Sequence, residues 1–336
     1  MRRIIELAAA LVLFLAALTS CRHKELCLHH PHDVKVRVDF DWVFAPEADP
    51  AGMCVFFYPI EGGTPRRYDF KGMTGGEIQI TVGRYMVICY NNNTEGVLFR
   101  NKNEFCCHEA YTREGNIFEP IFGNGYAPPA KRRTGEERVV ITPDMMWGSI
   151  ATEVELTDSG ICYTCSTTRA EVERIISDEF VITLYPTELT CIYTYEIRNV
   201  KNLKHATQMC ATISGMAGGI NLSTQVLREE SVTLPFESSF DRVSTITGRF
   251  ITFGHHEENN DPHRMNLYVW MDDGQKYLFG TEGDRFDVTE QVHNAPDKRR
   301  VHLVIDGLDL PQPIENGHGF KPSVDDWMVW EGEIQM

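Results

Sequence analysis

From residue 34 onward the chain repeats one rhythm: short runs of alternating apolar and polar residues, closed by glycine, proline or asparagine. In "VKVRVDFDW" (34–42), Val34, Val36, Val38 and Phe40 share one face of an extended segment, with charged residues on the other. "GMCVFFYPI" follows an Ala/Pro/Gly turn, "EIQITVGRYMVICYNN" reads as two strands broken near Gly83, and "EGVLFRN" as another. "ERVVITPDMMW" (137–147) closes a first region, after the proline- and charge-rich loop "APPAKRRTGEER". "TTRAEVERIISDEF" (167–180) reads as a short helical turn or a charged crossover. Strand patterning then resumes in "FVITLYPTELTCIYTYEIRNV", "ESVTLPFESSF", "TITGRFITFG", "MNLYVWMDD", "KYLFGTEGDRFDVT" and "RRVHLVIDGLDL", with "MVWEGEIQM" a final candidate. Glycine-rich "SGMAGGINL" marks a place where backbones turn or approach closely. Turn signals at this spacing predict sandwiches and not βαβ units.

The amino terminus breaks the rhythm. Arg2 and Arg3 precede an apolar run from Leu7 to Leu18, interrupted before its start by Glu6. That run is too short to span a bilayer, which takes about 20 apolar residues, and has the layout of an export signal. Leu18-Thr19-Ser20-Cys21 matches the pattern after which bacterial signal peptidases cut and the cysteine is lipidated. Residues 1–20 are therefore expected to be a lipoprotein signal, with acyl chains on Cys21 as the membrane anchor, each buried methylene contributing about 0.8 kcal/mol. The expected division of the rest is a β-sandwich at 21–150, a linker or crossover at 151–178 and a second sandwich at 179–336.

Charge narrows the partners. With 32 basic and 48 acidic residues the net charge is −16, which repels phosphate backbones and speaks against nucleic-acid binding. Cys54, Cys89 and Cys191 sit inside apolar runs as small hydrophobes, and the cysteine spacing is too irregular for a small disulfide scaffold. Cys162-Tyr-Thr-Cys165 lacks the strand-then-helix setting of a thioredoxin motif and reads as a thiol pair or a local disulfide.

Three constellations bear on chemistry. His29, His30 and His32 in "LHHPH", and His255, His256 and His263 in "GHHEENNDPH", have no regular ligand spacing, so no metal site is assigned. Asp325-Asp326 and Glu257, Glu258 and Asp261 lack the pattern of a Ca²⁺ loop. No GxSxG elbow or dinucleotide fingerprint is present, so neither a catalytic centre nor a cofactor is expected.

The order of "LTSCRHKELC", "HPHDVKVRVDFDW", "VGRYMVICYNN", "EGVLFRN", "ERVVITPDMMW", "TLYPTE", "YEIRNVKNL", "SGMAGGI", "VTLPFE", "ITFGHH", "VHNAPDKRRVHLVIDGLDLP" and "GFKPSVDDW" resembles the fimbrillin-like lipoproteins of Bacteroidetes over nearly the whole chain. The resemblance implies an all-β protein of two tandem transthyretin-like, Ig-like sandwiches. It also implies an outer-membrane lipoprotein acting as a non-enzymatic anchor or accessory adhesin of pili. Its partners would be the membrane, through the lipid on Cys21, and pilin-like subunits joined by strand donation to an open sheet edge. Stalk subunits of such pili mature by cleavage after an arginine near their first strand; Arg37 lies in that region, and nothing marks it as a cleavage site. Surface-displayed relatives often carry acidic residues after the lipidated cysteine. Here Arg22, His23 and Lys24 follow, with Glu25 the one acid, which leaves the membrane face open. The competing expectation is glycan or small-ligand binding, with Trp42, Trp147, Trp270, Trp327 and Trp330 as stacking surfaces.

Overall fold

The computed structural model describes residues 33–123, 137–157, 160–162, 170–174, 180–258, 262–281, 283, 285–313 and 328–329. The strand rhythm of the sequence becomes two sandwiches and a small third sheet.

In the first sandwich one sheet runs β11 (Ala170–Arg174), β12 (Phe180–Leu184), β1 (Asp33–Phe40), β4 (Gly76–Thr81). The facing sheet runs β10 (Gly160–Cys162), β9 (Trp147–Thr157), β5 (Gly83–Asn91), β2 (Gly52–Pro59), β3 (Arg66–Lys71), with β13 (Thr187–Glu188) beside the start of β9. Strand β1 behaves as its alternation predicts. Val36, Val38 and Phe40 are buried against Met53, Val55, Phe57, Ile80 and Val87, while Lys35 and Arg37 stay outside, paired with Glu77 and Asp39. Strand β2 lacks alternation because both its faces are covered. Met53, Val55 and Phe57 fill the sandwich, and Cys54, Phe56 and Tyr58 enter a separate apolar cluster behind the sheet.

The second sandwich pairs β18 (Ser239–Phe240), β19 (Ile246–Thr252), β14 (Cys191–Lys201) and β22 (Arg300–Asp309) in one sheet. The other runs β23 (Met328–Val329), β21 (Lys276–Phe279), β20 (Met265–Met271), β15 (Ala206–Ala217), β17 (Ser231–Glu237), β8 (Arg138–Val139). Tyr193, Tyr195, Ile197, Phe250 and Leu303 of the first sheet meet Ala211, Ile213, Phe236 and Leu267 of the second. Tyr195 lies across Gly248, its pairing partner on β19, and its hydroxyl bonds Ser238 Oγ at 2.5 Å. Two short α-helices, α1 (Glu119–Phe122) and α2 (Thr289–His293), and two 3₁₀ turns, Phe105–Cys107 and Leu203–His205, lie among the described residues.

A three-stranded sheet of β16 (Gly219–Asn221), β7 (Glu109–Thr112) and β6 (Val97–Arg100) lies behind β2 and β5. Its cluster joins Phe56, Ile88 and Tyr90 of the first sandwich to Ala217 and Phe253 of the second.

Two strands cross between the bodies. Phe180–Leu184, expected to open the second domain, pairs in parallel with β1 of the first sandwich. The stretch ends where Tyr185-Pro186 interrupts the run, because proline restricts its predecessor and offers no N–H. In the other direction, Arg138-Val139 pairs in parallel with β17 of the second sandwich. The expected linker at 151–178 holds most of β9 together with β10 and β11, and Ala170–Arg174 is strand, not helical turn.

Candidate functional site

Sheet edges are the surfaces through which an all-β protein can take up another chain. Among the described strands the longest edge is β22, which lies at the end of its sheet with β14 as its one strand neighbour. Its sequence "RVHLVIDGLD" alternates as it should: Val301, Leu303 and Ile305 are buried while Arg300, His302 and Asp306 are exposed. The open side is covered at one residue by a side chain. Gln291 of α2 donates from Nε2 to the Val304 carbonyl at 2.9 Å and accepts the Val304 N–H on Oε1 at 2.7 Å, filling the place of a strand. Further along, Arg285 donates to the Gly307 carbonyl at 2.8 Å. Because a residue's N–H and C=O point the same way in a parallel strand, His302 and Asp306 turn theirs to the side of Val304.

Other edges are short or guarded. β3 carries Arg66, Arg67, Asp69 and Lys71, with Arg67 bound to Asp69 at 2.7 Å, and on β4 the Gln79 carbonyl accepts from the Tyr68 hydroxyl at 2.5 Å. β8, β18 and β23 have two described residues each. The terminal candidate "MVWEGEIQM" is paired within its own sheet where it is described: Met328 and Val329 run parallel to Tyr277 and Leu278.

The second feature is a group of imidazoles that the sequence only half announces. His255 follows β19, His263 precedes β20, and His293 ends α2. Their ring centres lie 5.4 Å (His255–His263), 5.0 Å (His255–His293) and 5.1 Å (His263–His293) apart. Burial, then the neighbouring His263 and His293, push the His255 imidazole down to about 4. Beside it a cleft of about 340 Å³ is lined by His255, His256, Glu257 and Lys298 among others. His293 stands alone in "VTEQVHNAP", far from the other two, and no spacing could have announced it. His256 turns away to the Arg228 carbonyl.

The remaining candidates scatter. Trp147 is buried, Trp42 is half-buried with Nε1 on the Met73 carbonyl at 2.9 Å, and Trp270 packs between Phe118 and Phe122. These three are spent on packing. Cys54, Cys89 and Cys191 are buried free thiols, as expected of small hydrophobes. Glu257 and Glu258 are exposed. Cys21, His29, His30, His32, Asp261, Asp325, Asp326, Trp327, Trp330 and Cys165 lie outside the described residues. No helix among the described residues is long and apolar enough to cross a membrane.

Two packed sandwiches make this an all-β protein. Residues 20–237 match the family described as "Domain of unknown function (DUF5119)", and the chain belongs to that family. It is 31% identical over 133 residues to a Bacteroides ovatus protein named "Putative fimbrium anchoring subunit Fim4B", an alignment spanning 40% of this chain and 36% of that relative. A crystal structure described as a "putative adhesin" from Bacteroides ovatus superposes with a TM-score of 0.56 at 20% identity, covering 84% of this chain and 93% of that one. The fimbrial anchor protein Mfa2 from Porphyromonas gingivalis gives 0.48 at 15% identity, covering 82% and 91%.

Proposed function

We propose that the chain is a lipid-anchored protein of the cell envelope that holds a fibre of pilin-like subunits, as an anchor or accessory adhesin. The observation that carries this reading is β22: ten residues of edge strand, covered on its open side by the side chains of Gln291 and Arg285. An incoming strand from a neighbouring subunit displaces Gln291 from Val304 and takes its place, gaining main-chain hydrogen bonds along His302 to Asp306. The pairing of Met328 and Val329 within their own sheet favours acceptance over donation. The name of the curated relative and the lipidation pattern at Cys21 point the same way. Such a role needs no turnover and draws on contact alone.

The reading is tested by mixing the purified protein with pilin-like subunits of its source bacterium and weighing the assemblies by native mass spectrometry. A mixed assembly is expected, and its affinity should fall tenfold or more in His302→Pro. That change removes an outward N–H from an edge position where proline is tolerated. Absence of any mixed assembly, or one indifferent to His302→Pro, rejects the edge as the contact. Separately, Cys21→Ala is expected to abolish incorporation of a clickable palmitate and to release the protein from the membrane fraction.

A further inference from the structure

The hairpin loop between β6 and β7 carries a group of donors that the role just described does not use. We propose that Glu104, Cys106 and Cys107 form a site for one divalent transition-metal ion of the zinc class, bound through one carboxylate oxygen and two thiolates.

Convergence is the first argument. A Glu104 carboxylate oxygen, Cys106 Sγ and Cys107 Sγ all lie within 4.8 Å of one another, and the two sulfurs stand 3.2 Å apart. On a tetrahedral zinc, with bonds of about 2.3 Å to sulfur and 2.0–2.2 Å to oxygen, two thiolates sit about 3.8 Å apart and the oxygen about 3.6 Å from each. Closing on an ion therefore asks the sulfurs to part by roughly half an ångström. Cys106 is exposed, which leaves its side chain free to make that move.

The second argument is that packing makes no use of these thiols. Of the six described free thiols, Cys54, Cys89, Cys191 and Cys210 are buried, each inside an apolar cluster. There cysteine serves as a small hydrophobe. Cys106 is exposed and Cys107 half-buried, side by side in the 3₁₀ turn with Glu104 at its start.

The loop is built before an ion arrives. Asn101, at φ +54°, turns the chain out of β6, and its carbonyl accepts the Glu104 N–H at 3.0 Å. The Cys107 N–H bonds the Glu104 carbonyl at 3.1 Å, and Asn221 Nδ2 donates to the Cys106 carbonyl at 2.8 Å. Beneath them the Tyr58 hydroxyl donates to the Lys102 carbonyl at 3.1 Å, and the Phe105 ring stands edge-on to Tyr58 at 5.5 Å. The backbone under all three donors is thus held by the rest of the fold, and little ordering is left for binding to supply.

Charge and donor type select the ion. The Cys107 thiol is pushed up to about 11, first by its hydrogen bond with Cys106, then by burial and by the negative charges of Cys106 and Glu104. Donors that repel one another once deprotonated are relieved by a bound cation, which holds coordinating thiols as thiolates. Two sulfurs exclude calcium and magnesium, which take oxygen ligands. A carboxylate beside the thiolates favours zinc over the softer cuprous ion. With three protein ligands at the surface, the fourth position falls to water.

The test uses the full-length chain in detergent, reduced, stripped with a chelator and titrated with Co²⁺ in the absence of air. About one equivalent is expected to bind, with the absorption of four-coordinate cobalt and a thiolate-to-cobalt charge-transfer band, and to be displaced by Zn²⁺. Cys106→Ser and Cys107→Ser are each expected to weaken binding about 100-fold or more, judged against the 10–100-fold cost of losing an outer partner alone. The double variant should lose the charge-transfer band. Glu104→Gln is expected to weaken binding about tenfold or more while the band remains. Circular dichroism confirms that the variants fold. Cys162→Ser with Cys165→Ser is expected to leave binding unchanged. The assignment is overturned by no bound equivalent, by a charge-transfer band that survives without Cys106 and Cys107, or by a loss that follows Cys162 and Cys165. Indifference to Glu104→Gln, or a Cys106–Cys107 disulfide in the chain kept with zinc, overturns it equally.

Discussion

Gly75→Ala is expected to destabilise the first sandwich by more than about 3 kcal/mol, with Gly72→Ala costing about 1–2 kcal/mol. Both glycines lie in the turn between β3 and β4 with positive φ, +80° and +69°. A side chain at either place therefore meets the penalty of the left-handed region. They differ in surroundings. A Cβ on Gly72 would meet nothing within 4 Å, whereas one on Gly75 would lie 1.8 Å from the Val38 carbonyl oxygen and 2.8 Å from its carbon. These are backbone atoms of β1 and cannot swing aside. Val38 pairs with Gly76 at the end of the β1–β4 ladder, and both Val36 and Val38 are buried in the core. Relief of the overlap requires β4 to part from β1. Urea unfolding of the two variants measures the difference, and equal midpoints would show that the close approach of β1 costs nothing.

Acid is expected to loosen the region between the sandwiches. Lowering the pH from 7 to 4 should remove about 3 kcal/mol through His108 alone. His108 is fully buried, with Nδ1 2.6 Å from the Tyr58 hydroxyl, Nε2 3.3 Å from that of Tyr90, and its ring edge-on to Phe56 at 5.0 Å. Burial first, then the positive charges of Lys102 and Arg67, push its imidazole from 6.5 down to about 4. As the pH falls below about 6.5 the unfolded chain takes up this proton before the folded one does, so the contribution is complete above pH 6.5 and is lost progressively toward pH 4. Two and a half pH units at 1.36 kcal/mol each give the figure quoted. His108→Gln keeps a polar side chain and removes the titration. Its stability should fall less steeply over that window than the wild type's. Parallel curves for the two proteins would show that His108 takes up its proton equally in the folded and unfolded chain.

Much of the architecture was legible because burial on one face imposes a period of two, and β1, β14 and β22 display it in order. The all-β class and the break between β4 and β5 near Gly83 follow from the same pattern and are found. Strand partners were not legible, since pairing joins residues far apart in the chain. Nothing local to "FVITL" says that it completes the first sandwich, nor that Arg138-Val139 lies against β17. The charged "AEVER" of β11 reads equally well as a helical turn, and pairing with β12 decides for strand. The histidine cluster shows the same limit: His255 and His263 stand in one quoted stretch, and the fold supplies His293.

The apolar cluster behind β2 and β5 has a mechanical consequence. Its members come from β2, β5, the three-stranded sheet and the segments around Ala217 and Phe253, so neither sandwich can be drawn away without opening it. β8 adds a second tie, since residues preceding β9 are laced into the far body. Tension applied between the two bodies is met by this shared cluster, which makes them one stiff link.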